Sequence, residues 1–388
     1  MVSGTDKFSA IRPFNDDEVS GVIQRIIHDP EFLSVITQLR FPNLPELFGG
    51  LLKPIIRFHL SRKIKSVKTV SGLQEKIESY VTSMINDTMS SFSVKGLDKL
   101  DPDEGYLFIA NHRDIVMDPA LVNYSRHVNG FDTVRIAIGD NLLSKAFISD
   151  LMRVNKSFIV NRSAKGPREL LASLKLLSEY ISTSLKKDKQ SVWIAQREGR
   201  AKDGLDKTDS AILKMLVLND RKKPFNEAIK ALKIVPVVAS YEYDPCDILK
   251  ARELSEKDKT GQYQKRQHED VESIAKGVTG FKGRVQLSYG EVITNDFADA
   301  DELADYLDKE ILSLYPIPPS HYFAYEELFG SIPYEDLLKE EYGLTQAQLD
   351  KERQAFKSHF ASIEEEYRPF ILWGYANPLL EKMQLGLL

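Results

Sequence analysis

Hydrophobic positions along the 388-residue chain follow two different rhythms. In "VSGLQEKIESYVTSMINDTMSSF" Leu73, Ile77, Tyr80, Val81 and Ile85 recur at helical spacing, with no strand alternation. Residues 16 to 92 are accordingly expected to be helices, broken at "DPEF", "FPNLP" and "KP". From about 105 the texture changes. "GYLFIA" (105–110), "VRIAIG" (134–139), "KSFIVN" (156–161), "SVWIAQ" (191–196) and "KIVPVVASY" (233–241) are short apolar runs rich in β-branched and aromatic residues. Helical stretches such as "GPRELLASLKLLSEYISTSLKK" and "TDSAILKMLVL" separate most of them. Strands alternating with helices imply βαβ units and a mostly parallel sheet, hence an α/β fold. "GRVQLSYGEVI" (283–293) adds one more expected strand, followed by the helical "DADELADYLDKEILSLY", a break at "PIPPS" and helices to the end. The division is a helical region over 1–95, an α/β core over 96–315, and a C-terminal helical extension over 316–388. That extension is too rich in Phe, Tyr, Trp and Leu to be a free linker.

Composition narrows the class. Charged residues make up 28% and hydrophobic ones 42%, which argues against global disorder. A net charge of -5 gives no reason to expect nucleic acid as a partner. The single cysteine, Cys246, excludes an intrachain disulfide and a cysteine-based metal cluster, and fits a reducing, cytoplasmic setting. The polar, acidic start "MVSGTDKFSAIRPFNDDEVS" is unlike a secretory leader. No run approaches the roughly 18 apolar residues of a spanning helix, so any membrane contact is expected at the surface.

The candidate chemistry lies in "LFIANHRDIVMDPALV", residues 107–122. A turn can use its Asn and Asp, but has no need of an imidazole. His112 follows a buried strand, where open α/β sheets place their ligands. Asp118 is six residues on, an offset that on one continuous helix would set the two side chains about 120° apart. A His–Asp pair therefore requires His112 in the loop and Asp118 on the turn that follows. An aspartate on Nδ1 would fix the tautomer and leave Nε2 free to take a proton. Asp114 is the rival partner. The remaining histidines, His28, His59, His127, His268, His321 and His359, show no metal-ligand grouping, and no metal is expected. "DPDEG" and "YEYDPCD" lack the register of a calcium loop, and no Gly-rich phosphate loop is present.

With these residues the chain resembles the glycerolipid acyltransferases, the superfamily of glycerol-3-phosphate and 1-acylglycerol-3-phosphate acyltransferases. The family's first motif is an Asn-His or similar pair, four residues, and an Asp often followed by Pro. "NHRDIVMDP" supplies these with five residues between His112 and Asp118. The second motif corresponds to "KSFIVNRSAKG", with Ile159, Val160 and Arg162 in place and Lys156 where the family has Gly. The third resembles "REGRAKDG" with one residue missing: Glu198, Gly199 and Arg200 are retained, and Lys202 stands for the later basic residue. The fourth, an apolar strand with a central Pro, is "KIVPVVASYEY" with Pro236. The resemblance covers about residues 96–290.

The resemblance implies transfer of an acyl group from a thioester, acyl-CoA or acyl-ACP, to an acceptor hydroxyl, with no bound cofactor. His112 is the expected base and Asp118, or Asp114, its partner. Arg162 and Arg200 are expected to grip the acceptor phosphate as forked cations. Arg197, Lys165, Lys202 and Arg113 are further candidates on the substrate side. Glu198 would orient an arginine or the glycerol hydroxyls, and Gly199 would let backbone approach closely. Glycerol-3-phosphate is the expected acceptor and lysophosphatidic acid the alternative. A non-catalytic lipid-binding relative is a third reading; an unrelated α/β hydrolase would need a Gly-x-Ser-x-Gly elbow, which is missing.

A last stretch bears on location. "GGLLKPIIRFHLSRKIKSVKTVSG", residues 49–72, holds Lys53, Arg57, Arg62, Lys63, Lys65 and Lys68 among apolar residues, with no acid between Glu46 and Glu75. Such a segment can lie in an anionic headgroup layer, so peripheral attachment at the inner face of the membrane is expected. A core helix whose lysines face water is the competing reading.

Overall fold

The structure, a computed structural model, describes residues 6–41, 46–143, 145–163, 165–266 and 269–388. Helices come first: α1 (Asp16–His28), α2 (Pro30–Arg40), α3 (Glu46–Ile64) and α4 (Val70–Thr88). The "DPEF" break forms as a cap, where the Asp29 carboxylate accepts from the amides of Glu31 and Phe32 at 2.8 and 2.9 Å and Pro30 takes the first helical position. The break expected at "FPNLP" falls mostly on residues outside those described. The one expected at "KP" does not occur, because α3 runs through Pro54 without ending. A proline costs a helix one amide donor, and here the turns on either side keep the helix going. The chain instead breaks at 65–69, where Thr69 caps α4.

The rest alternates strand and helix: β1 (Met89–Lys95), β2 (Leu107–Ala110), α5 (Met117–Val128), β3 (Arg135–Gly139), α6 (Ala146–Val154), β4 (Ser157–Val160), α7 (Pro167–Lys186) and β5 (Val192–Ala195). There follow α8 (Ser210–Leu216), α9 (Phe225–Lys230), β6 (Ile234–Tyr241), α10 (Asp247–Thr260), α11 (Glu269–Thr279), β7 (Gly283–Tyr289) and α12 (Ala300–Leu314). The chain closes with α13 (Pro319–Phe329), α14 (Glu335–Tyr342), α15 (Gln346–Ala361) and α16 (Arg368–Leu385).

The strands form one sheet in the order β1-β7-β6-β2-β5-β3-β4. Every neighbouring pair is parallel except β6 and β7. The fold is thus α/β with a mostly parallel sheet. The stretch expected to be helical up to 95 closes with β1, a serine-rich edge strand whose Phe92 and Val94 turn inward while Ser91 and Ser93 face water.

Alternation fills both faces of the sheet. Leu107, Ile109, Val192, Ile194 and Ile234 meet α7, α8 and α12 on one side. Phe108, Trp193, Val235 and Val237 meet α4 and α5 on the other. The C-terminal helices build their own core around Tyr322, Phe323, Phe356 and Leu379, joined to the sheet through Val238 and to α10 through Ala251. Since β2, β4, β5 and β6 run the same way, their carboxyl ends share one edge; the loops leaving it carry the polar residues of the first three motifs, and the fourth motif is β6 itself.

Candidate active site

β2 ends at Ala110 and His112 sits two residues beyond it. Asn111 locks the strand end, its carboxamide oxygen accepting from the Ala239 amide at 2.8 Å and its nitrogen donating to the Ala239 carbonyl at 3.1 Å. The His112 carbonyl in turn accepts from the Ala201 amide at 2.8 Å, which fastens the third-motif loop to the first.

His112 Nδ1 lies 2.8 Å from Asp118 Oδ2. The same oxygen accepts from the Arg113 and Asp114 amides at 2.7 and 2.9 Å, and Oδ1 accepts from the Tyr241 hydroxyl at 2.8 Å. Burial alone would raise the Asp118 carboxyl. The hydrogen bond and charge of His112, the Asp114 amide and Tyr241 outweigh it and hold the group below the ordinary carboxylate range. An ionised Asp118 accepts the Nδ1 proton, so Nε2 carries the lone pair. The His112 ring stands edge-on to Trp193, centroids 5.7 Å apart.

Asp114 does something else. Its Oδ1 accepts from the amides of Val116 and Met117 at 2.9 and 2.8 Å and so turns the chain into α5. Its Oδ2 is buried without a partner, against Gly277 of α11, where any side chain would collide with it. Burial and the neighbouring charge of Asp118 push the Asp114 carboxyl up. Two carboxylates four residues apart therefore shift in opposite directions, and only Asp118 meets the imidazole.

His112 opens into a cleft of about 1150 Å³, partly open to solvent, which Arg162, Arg197, Gly199, Arg200 and Lys202 also line. Gly139 leaves room beside Arg162: a Cβ there would collide with Asn141 Oδ1 and stand 3.0 Å from the Arg162 guanidinium. Arg162 Nη1 donates to Glu198 Oε1 at 2.7 Å, an exposed pair at the lip. Arg200 sits deeper, with Nη2 3.4 Å from Ser273 Oγ of α11 and Nη1 buried without a partner. Gly199 has φ +77 beside open space, so backbone conformation rather than crowding calls for glycine there.

Other candidates are placed elsewhere or already engaged. Lys202 lines the cleft, but its ammonium pairs with Glu253, and burial lowers its pKa. Lys165 is exposed outside the cleft lining, its amide held by Glu169. Arg113 does not face the cleft. It is 8% exposed, donates to Asp206 and to the Gly204 carbonyl at 2.6 and 3.1 Å, and lies over the Tyr315 ring. It lines a separate cavity of about 470 Å³ against α16. Although next to His112 in sequence, Arg113 lies on the other side of the loop, held there by Asp206 and the Gly204 carbonyl.

Sequence reasoning missed Tyr241, Trp193, Ser273, Glu253, Lys265 and Asp270, all brought to the site by the fold. The one available signal was Tyr241, a phenol closing an otherwise aliphatic strand. The cleft's other half is apolar, with Val116, Pro119, Ile136, Ile138, Leu142 and Met152. Through Ala120 and Asn155 it shares walls with a groove of about 400 Å³ between α4 and α5, where Ile77, Val81 and Tyr124 are joined by Gln74, Glu78 and Asn123. Among the described residues, no group of histidine, cysteine and carboxylate side chains is arranged to hold a metal ion; His268 lies outside them.

Residues 91–240 match the family model described as Acyltransferase. No curated protein matches the chain. Among solved structures, the chain is similar to the 1-acyl-sn-glycerophosphate acyltransferase PlsC from Thermotoga maritima, at 14% identity and a TM-score of 0.39, over 76% of this chain and 94% of that one.

Proposed function

We propose that this chain, whose residues 91–240 match the Acyltransferase family model, is a glycerolipid acyltransferase that moves a fatty acyl group from an acyl thioester to the hydroxyl of glycerol-3-phosphate. The observation that carries this is a histidine with an anchored aspartate opening into a cleft that is cationic at one side and apolar at the other.

An alcohol is a poor nucleophile until its proton leaves. His112 Nε2 takes that proton as the acceptor oxygen attacks the thioester carbonyl, and Asp118 stabilises the imidazolium. The tetrahedral intermediate collapses, the carbon–sulfur bond breaks, and the thiolate recovers the proton from Nε2. The ester and a free thiol result, with no net proton gained or lost. Arg200 and Arg162 bind the acceptor phosphate. The exposed Arg162–Glu198 pair is worth no more than about 1 kcal/mol, so a phosphate dianion can displace the carboxylate. The acyl chain runs along the apolar side toward Ala120 and the groove beyond it. Lysophosphatidic acid is the second acceptor, and the same groove favours it, since an acceptor with its own chain needs apolar space.

The test is purified protein given glycerol-3-phosphate or lysophosphatidic acid, each with acyl-CoA and with acyl-ACP. Product is expected with glycerol-3-phosphate, and His112→Ala is expected to lower turnover roughly 10²–10⁴-fold while the protein stays folded. Turnover confined to lysophosphatidic acid would overturn the acceptor assignment. A folded His112→Ala protein with near-normal transfer would overturn the mechanism.

A further inference from the structure

We propose that Tyr241 is a positioning residue for the His112–Asp118 pair, its hydroxyl fixing the plane of the Asp118 carboxylate from the side opposite the imidazole. The inference rests on the reading of His112 as the general base and goes beyond it.

Tyr241 closes β6, which pairs in parallel with β2, so two strand ends separated by more than a hundred residues deliver a phenol and an imidazole to one carboxylate. The division of labour on Asp118 is uneven. Oδ2 accepts from His112 and from two loop amides, while the described donor to Oδ1 is the Tyr241 hydroxyl at 2.8 Å. Held at Oδ2 alone, the carboxylate can pivot about that atom, and the direction in which its lone pair meets Nδ1–H changes with it. A second bond at Oδ1 removes the pivot. Hydrogen bonds to an ionised acceptor are the strong ones, and burial strengthens them further. Tyr241 is 5% exposed. Its burial, together with the nearby Asp118 and Asp114 charges, pushes its ionisation well above the ordinary phenol range, so the hydroxyl remains a donor wherever the enzyme works. Its ring belongs to the core on that face of the sheet, with Val285 as its cross-strand neighbour, and a phenylalanine would preserve that packing.

Electrostatics gives the role a signature. The Tyr241 hydroxyl withdraws charge from Asp118. Without it the carboxylate becomes more basic and stabilises the imidazolium more strongly. Tyr241→Phe is therefore expected to lower kcat roughly tenfold through lost alignment while leaving both KM values within about twofold. The acid limb of the kcat/KM profile is expected to move up by about half a pH unit. In a His112→Ala background the same substitution is expected to change the residual rate less than about twofold, because the pair it serves is gone. Should the Phe protein not fold, Tyr241→Met fills the space without the hydroxyl, and the same shift of the acid limb is expected.

Wild-type kcat and pH profile in Tyr241→Phe, alongside an inactive His112→Ala, would overturn the role of Tyr241 and leave the base assignment standing. An equal loss in both backgrounds with no movement of the acid limb would also overturn it, by showing a purely structural contribution. A fully active His112→Ala would be a failure of the underlying mechanism, and this inference would fall with it.

Discussion

His112 and Arg162 occupy equivalent places, each two residues past the end of a parallel strand on the same edge of the sheet, yet their surroundings are opposites. The His112 side chain is 15% exposed, and its aspartate takes hydrogen bonds from two amides and a tyrosine. The Arg162 side chain is 35% exposed and is tied to a glutamate that is itself 70% exposed. One side chain is held by buried, anchored neighbours, and the other by a partner that water also reaches. The contrast suits the two tasks proposed for these residues. Proton transfer needs reacting atoms aligned within tenths of an ångström, and anchored neighbours supply that alignment. Holding a phosphate needs charge within reach, and a flexible arginine at the lip can swing onto its ligand.

The largest break in this comparison is expected at Asp118. Asp118→Asn keeps the size, and the Arg113 and Asp114 amides hold its carboxamide oxygen in the place of Oδ2, but the negative charge that stabilises the imidazolium is gone. Turnover is expected to fall about 10²–10⁴-fold. Asp114→Asn keeps the oxygen that turns the chain into α5 and touches no reacting group, so a change of less than about threefold is expected. Steady-state rates of the two purified variants decide it. Comparable losses in both would mean that the loop as a whole, and not the Asp118 carboxylate, sets the imidazole.

A smaller effect is expected on the cationic side. Arg200 is the deeper residue, so Arg200→Ala is expected to lower kcat/KM for the acceptor about 10–100-fold, the worth of one charge-assisted hydrogen bond. Arg162→Ala, at the exposed lip, is expected to lower it only about 3–10-fold. Neither is expected to move the KM of the acyl donor, and lysine at either position restores only part of the loss, because the planar fork is gone. Kinetics with acceptor and donor varied separately provide the measurement, and a defect confined to the donor would reverse the assignment.

How much of this was legible along the chain depended on distance. The six apolar runs appear as strands within a few residues of their expected limits because burial on both faces leaves a local signature. β1 left none: serines at alternate positions of an edge strand read as the tail of the preceding helix. The pairing of His112 with Asp118 was within reach of spacing arguments, since both residues lie in one loop and turn. What distinguishes Asp114 was not, because Gly277 presses on it from α11. The same holds for the engagement of Lys202 by Glu253, the Ser273 contact of Arg200, and the Tyr241 hydroxyl on Asp118. Each partner lies 50 or more residues away and meets the motif only once the sheet has formed. Arg113 failed for a different reason. Adjacency to His112 says nothing about the side of the loop on which a side chain falls.

The smallest effect on turnover is expected farthest from the cleft, on α3 and the turn after it. Ile55 and Phe58 are 63% and 64% exposed on this helix, unusual for residues of their size, and Arg57, Arg62, Lys63, Lys65 and Lys68 are exposed around them. The Arg62 guanidinium lies over the Phe58 ring, 5.9 Å from its centroid. Ile64 turns inward toward Val67 and Val70, so one side of the segment belongs to the core and the opposite side presents apolar groups framed by cations. Among the described residues no helix is long and apolar enough to cross a membrane. The exposed face suits an anionic headgroup layer, with each basic side chain contributing about 1 kcal/mol near such a surface. Replacing Lys63, Lys65 and Lys68 together by Gln is expected to weaken co-sedimentation with vesicles containing phosphatidylglycerol, and the loss should shrink as salt screens the charges. Turnover with glycerol-3-phosphate and a soluble thioester is expected to change by less than about twofold, since none of the three residues lines the cleft. Binding that ignores both lipid charge and the substitutions would assign α3 to the scaffold and place the contact with lipid on another surface.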